Sequence, residues 1–179
     1  MNYKKITIIN IIITFILAFL CHFLYEWFPN PIFSIFFPVN ESIWEHMKML
    51  YTTILLNGII EYFILKKFNI SHNNLCLTTY LKSIIAIPIY LLLFLPIFYC
   101  IGENMIVAIS IMLITIIIVN IIAYKLINLE EIKNQKIISL ILITITYIIM
   151  GILTYNAPHT QLFLDTKEEK YGINDYLKN

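Results

Sequence analysis

The 179-residue chain has no arginine, only four glycines, and charged side chains at just 13% of its positions. With so few cations and no long basic tract, it lacks the clustered charge that binding to nucleic-acid phosphates requires. The glycines are scattered, so there is no glycine-rich phosphate loop, and no internal repeat is visible. Cys21, Cys76 and Cys100 are odd in number and fall at no metal-finger or redox spacing. Cys21 and Cys100 are expected to be buried free thiols. The His-Glu-x-x-His signature of zinc proteases is also missing.

What the chain has instead is hydrocarbon. Hydrophobic residues make up 60% and the mean hydropathy is +0.82. Long uncharged runs such as 6–20 and 106–123 read as transmembrane helices, because a soluble core of this size could not hold so many of them. The pattern predicts an all-α polytopic integral membrane bundle with five spans at about 6–27, 42–65, 79–99, 105–126 and 137–155. Pro88 and Pro96 fall inside the third span and should kink it. The first span is too long for a signal core and is followed by no Ala-x-Ala site, so an anchor is expected rather than a cleaved leader.

Lysine sets the orientation. Lys4, Lys5, Lys66, Lys67, Lys82, Lys125, Lys133 and Lys136 fall on one side of a five-span arrangement. The connections 28–41 and 100–104 carry none, and only Lys48 lies near their edge. The positive-inside rule then places the N-terminus in the cytoplasm and the C-terminal tail, 156–179, outside. The bundle proper is expected to be 1–155, with the tail packed on its outer face. Residues 29–38 are proline-bounded, apolar and uncharged. They are expected to form a short interfacial or re-entrant helix.

The polar residues gather around residues 38–48, Pro-Val-Asn-Glu-Ser-Ile-Trp-Glu-His-Met-Lys. Asn40 or Ser42 is expected to cap the second span. Ser42 and Glu45 fit a capping box in which the glutamate reaches back to the cap. Glu41 and Glu45 are four apart, Lys48 lies three beyond Glu45, and His46 sits on an adjoining face. His22 and Glu26, also four apart, share a face near the end of span one. The orientation adds Glu103, His159 and Asp165 to the same end. Glu61, near the other end, is expected to form a surface ion pair with Lys66.

This motif, with His22 and Tyr25-Glu26-Trp27 before it and the tail Thr154-Tyr155…Pro158…Leu162-Phe163…Asp165…Tyr171-Gly172-Ile173 after it, resembles an uncharacterised family of small bacterial membrane proteins. The resemblance runs the full length and implies a multi-pass architecture but no reaction.

Three function classes follow from the residues. Imidazoles beside carboxylates suit zinc or another divalent metal. A metal-dependent hydrolase acting on a lipid-borne or extracytoplasmic substrate would use His22, Glu26 and His46 as ligands, with His159 or Asp165 completing the shell. Glu45 would then be the base, and Lys48 would stabilise an anionic substrate or oxyanion. A proton- or cation-linked transport or binding component would instead need a polar route inward, for which Asn57, Glu61, Ser83 and Asn120 are the sparse candidates. A structural protein would use the cluster to seat the tail. The expected partners are membrane lipids, with a homodimer or a larger membrane protein completing any transport machine.

Overall fold

The computed structural model describes residues 3–177. Five long helices, α1 (Tyr3–Trp27), α3 (Ile43–Lys67), α4 (Leu75–Ile101), α5 (Met105–Leu126) and α6 (Gln135–Tyr155), are each long and apolar enough to cross a membrane. Between α1 and α3 sits the six-residue α2 (Pro31–Phe36). After α6 come a two-stranded ribbon, β1 (Leu164–Asp165) and β2 (Lys170–Tyr171), and the single turn α7 (Asn174–Leu177). The five spans are those expected from hydropathy, with ends shifted by up to four residues.

Isoleucine-rich runs such as 113–122 would favour strands in a soluble protein. In hydrocarbon a backbone must satisfy its own donors and acceptors, and an uncapped strand cannot. The buried threonines do the same locally: Thr14, Thr53 and Thr115 each donate to the carbonyl four residues back. Their polarity is therefore spent inside their own helices.

α3 is the central element, with most of its length buried, and it packs on α1 and α4, while α5 packs on α4 and α1. The α3–α4 contact is close because Gly58 lies against Thr79. A Cβ at residue 58 would stand 2.2 Å from Thr79 Cγ2 and 3.1 Å from its Cβ. Rotating the threonine cannot clear both. Gly58→Ala should therefore cost about 1–3 kcal/mol, read as a lower melting temperature in detergent. Adding Thr79→Ala should recover part of it. An unchanged melting temperature in the single variant would contradict this packing.

The proline-bounded segment is re-entrant. Asn30 caps α2 by accepting from the amides of Ile32 and Phe33. Ser34 then meets the Tyr155 hydroxyl at 3.0 Å, Ile35 lies against Gly151, and the Phe36 ring packs edge-on to Tyr147. Tyr155 to Tyr147 is a descent of eight helical residues, about 12 Å. Residues 37–42 climb back to the start of α3. The carbonyls freed at the lower end of α2 are covered: Lys48 Nζ donates to Ser34 O at 2.7 Å and Thr52 Oγ1 to Phe36 O at 2.7 Å. α6 meets the rest of the bundle mainly through α2 and α4.

At the opposite end, Glu61 is buried. It accepts from Lys82 Nζ at 2.8 Å and from the Tyr3 hydroxyl at 2.7 Å, tying α3 to α4 and α1. The surface pair with Lys66 does not form, because Glu61 faces the bundle. Cys21 is buried as expected, but Cys100 is exposed, on the outer side of α4.

Candidate metal centre

The end of the bundle that carries the tail is built around three side chains. His22 comes from α1, five residues before its end. Ser42 is the N-cap of α3, accepting from the Glu45 amide at 3.3 Å. Glu41 therefore lies just outside the helix, and His46 sits one turn inside it. One ligand atom from each of His22, Glu41 and His46 can be chosen so that all three lie within 4.8 Å of one another. His22 Nε2 is 3.5 Å from Glu41 Oε1, and His46 Nε2 is 4.0 Å from Glu41 Oε2.

Supporting contacts orient the group. His46 Nδ1 lies 2.9 Å from the Ser42 carbonyl. A carbonyl can only accept, so Nδ1 donates to it, and that bond fixes the ring with Nε2 facing Glu41. The Glu41 amide donates to Asp165 Oδ2 at 3.1 Å. Lys167 Nζ stands 3.3 Å from Glu41 Oε2, and that carboxylate raises the pKa of the ammonium. Burial would raise the pKa of Asp165. Hydrogen bonds from the Tyr176 hydroxyl and from the amides of Glu41, Lys167 and Glu168 outweigh it and hold the group below its usual value.

The three side chains rim a cavity of about 360 Å³. Below the rim its walls are apolar, with Leu50, Phe94, Phe98 and Met112 among them. Glu103, in the turn between α4 and α5, and Lys167 of the tail are the other charged groups on it.

The remaining sequence candidates lie elsewhere. Glu26, one turn beyond His22, is exposed and is not among the three. His159 stacks on Tyr171 with centroids 4.5 Å apart and is not among the three. Asp165 reaches the backbone of Glu41 rather than its carboxylate.

Glu45 and Lys48 pair with each other at 2.5 Å, 1% and 0% exposed, and neither lines the cavity. Glu45 also accepts from the Val39 amide and the Thr154 hydroxyl, and Lys48 donates to Thr154 Oγ1. The reciprocal half of the capping box is therefore replaced: the Ser42 amide donates to Asn40 Oδ1. Glu45 Oε2 thus serves Val39 and Lys48 and Oε1 serves Thr154, so the pair expected to supply base and oxyanion roles lies in the packing of α2, α3 and α6 rather than in the cavity wall.

Glu41 was legible as part of the motif but not as a ligand. Its four-residue spacing to Glu45 suggested a shared helix face, which cannot hold for a residue ahead of the N-cap. Its place immediately before a Ser-x-x-Glu cap, five residues before a histidine, was the available signal.

Five apolar helices, a re-entrant segment and a His–Glu–His cluster at one end define a multi-pass helical membrane protein with a candidate metal centre. The chain belongs to the family of unknown function DUF6512, whose family model matches residues 1–173. No curated protein and no solved structure matches it.

Proposed function

We propose that His22, Glu41 and His46 bind a divalent first-row metal such as zinc, and that this centre is a hydrolase acting on a lipid-borne or extracytoplasmic substrate. The observation that carries this reading is the convergence of two imidazoles and one carboxylate at the mouth of a cavity. Zinc bonds of about 2.0–2.2 Å place neighbouring ligand atoms roughly 3.3 Å apart; each imidazole here lies 3.5 or 4.0 Å from an oxygen of Glu41, and one atom from each of the three residues fits within 4.8 Å. Three protein ligands leave a fourth position for water, the arrangement of catalytic rather than structural zinc. A metal held by these residues would supply Lewis-acid activation of a water molecule. Lys167, on the rim, is placed to meet negative charge on a substrate.

The lysine distribution supports putting this end outside the membrane. A transport route is not favoured. Ser83 and Asn120 bond back to their own helices, and Glu61 is held by Lys82 and Tyr3. Asn57, although buried, has no side-chain hydrogen-bond partner among the described residues to carry a chain onward.

Protein purified in detergent without a histidine tag should carry about one zinc or similar ion per chain. His46→Ala and Glu41→Ala should each lower metal affinity by 10-fold or more while the helical circular dichroism persists. Metal content near zero in the wild type after zinc loading would end this reading, as would full retention in both variants.

A further inference from the structure

We propose that the ligand of this centre is an amphiphile with one long apolar chain and an anionic head group, which enters sideways from the lipid between α1 and α5. The inference rests on the metal reading for the head group only. The chain site stands on the cavity itself.

The cavity is polar only at its rim. Its volume of about 360 Å³ falls in the range of small-molecule sites. Seven helical residues separate Met105 at the mouth from Met112 in the wall, so it runs about 10 Å into the bundle. Apolar walls at that depth hold water poorly and hydrocarbon well.

The approach from water is crossed by the tail. Gln161, Leu164, Thr166 and Lys167 form the roof, pinned at Glu41 by Lys167 and at Glu103 by the Thr166 hydroxyl. Trp44 ties the tail in as well: its amide donates to Leu162 O at 2.9 Å and its ring packs on Phe163.

The side is different. Phe19 and Phe23 on α1 and Met105 on α5 line the cavity yet are 43%, 41% and 73% exposed. These are apolar side chains on the outer surface of an apolar bundle, where lipid lies. A chain arriving there slides its tail past Phe19 towards Met112 and leaves its head level with His22, His46 and Lys167. A bound cation and the Lys167 ammonium then favour a phosphate or carboxylate head.

The test is photolabelling in zwitterionic liposomes with a long-chain phosphate carrying a diazirine near its chain end. Adducts should concentrate on Leu50, Phe94, Phe98 and Met112. Ala108→Phe, which fills the cavity from α5, should reduce them about tenfold while leaving metal content unchanged. Unlabelled long-chain phosphate and long-chain carboxylate should protect, and their relative strength identifies the head group. The matching alcohol and inorganic phosphate should not.

Adducts spread evenly over outward-facing residues such as Leu92 and Leu140 would overturn the proposal, as would equal labelling of Ala108→Phe. Protection by the alcohol as strong as by the anions would overturn the head-group half. If Ala108→Phe fails to fold, the adduct map and the protection series on the wild type decide alone. Cavity labelling in a protein that binds no metal would sink the metal reading and leave the chain site standing.

Discussion

Lys48→Met should destabilise the protein by about 3–5 kcal/mol, because it strands a carboxylate in the interior. Glu45 is 1% exposed, and among the described residues its charge is balanced by the Lys48 ammonium at 2.5 Å. The same ammonium covers the Ser34 carbonyl at the lower half of α2 and the Thr154 hydroxyl at the end of α6. One substitution therefore loosens α2, α3 and α6 together. Glu45→Gln combined with Lys48→Met should be less harmful than Lys48→Met alone, since no unpaired charge remains. Unfolding in mixed detergent and SDS would measure both. A single variant as stable as wild type would remove the pinning role assigned to this pair.

Lys82→Met should produce a loss of similar size, about 3–5 kcal/mol, at the other end. There Glu61 would keep, among the described residues, only the Tyr3 hydroxyl as a partner. Tyr3→Phe deletes one hydrogen bond to a charged group and should cost less, about 1.5–3 kcal/mol. Lys48 and Glu61 are thirteen residues apart on α3, about 20 Å along its axis. The effect of Lys82→Met should thus be the same, within about 0.5 kcal/mol, in wild type and in the Glu45→Gln/Lys48→Met background. Equal stability of Lys82→Met and Tyr3→Phe would show that the ion pair adds nothing beyond a hydrogen bond.

The spans were legible because lipid enforces helix on any sufficiently apolar run, whatever its β-propensity. The re-entrant α2 was legible for a related reason: an uncharged, proline-bounded segment too short to cross has few other places to lie. The polar site was harder. His22 and His46 could be named from their setting, but which carboxylate joins them depends on the direction a chain takes just before a helix cap. Periodicity says nothing there. Glu45 and Lys48 drew attention as ionisable groups beside lipid, and only the packing of α2 and α6 around them shows their charges consumed by each other. Glu61 likewise had a lysine nearby in sequence. Its partner came from the next helix because burial selects the cation that can reach inward.

The re-entry of α2 has a consequence for parity. A helix of six residues, about 9 Å long, enters and leaves at the same end and so adds no crossing. The number of long helices stays odd, and the chain starts and finishes at opposite ends of the bundle. Connections 68–74 and 127–134, with the lysines beside them, all fall at the starting end, whereas Glu41, Glu103 and the tail share the other. Had the segment crossed, every later connection would have changed ends. His22 would then have been parted from His46 by the thickness of the bundle, and Lys4 and Lys5 would have lain at the opposite end from Lys66, Lys67, Lys82, Lys125, Lys133 and Lys136.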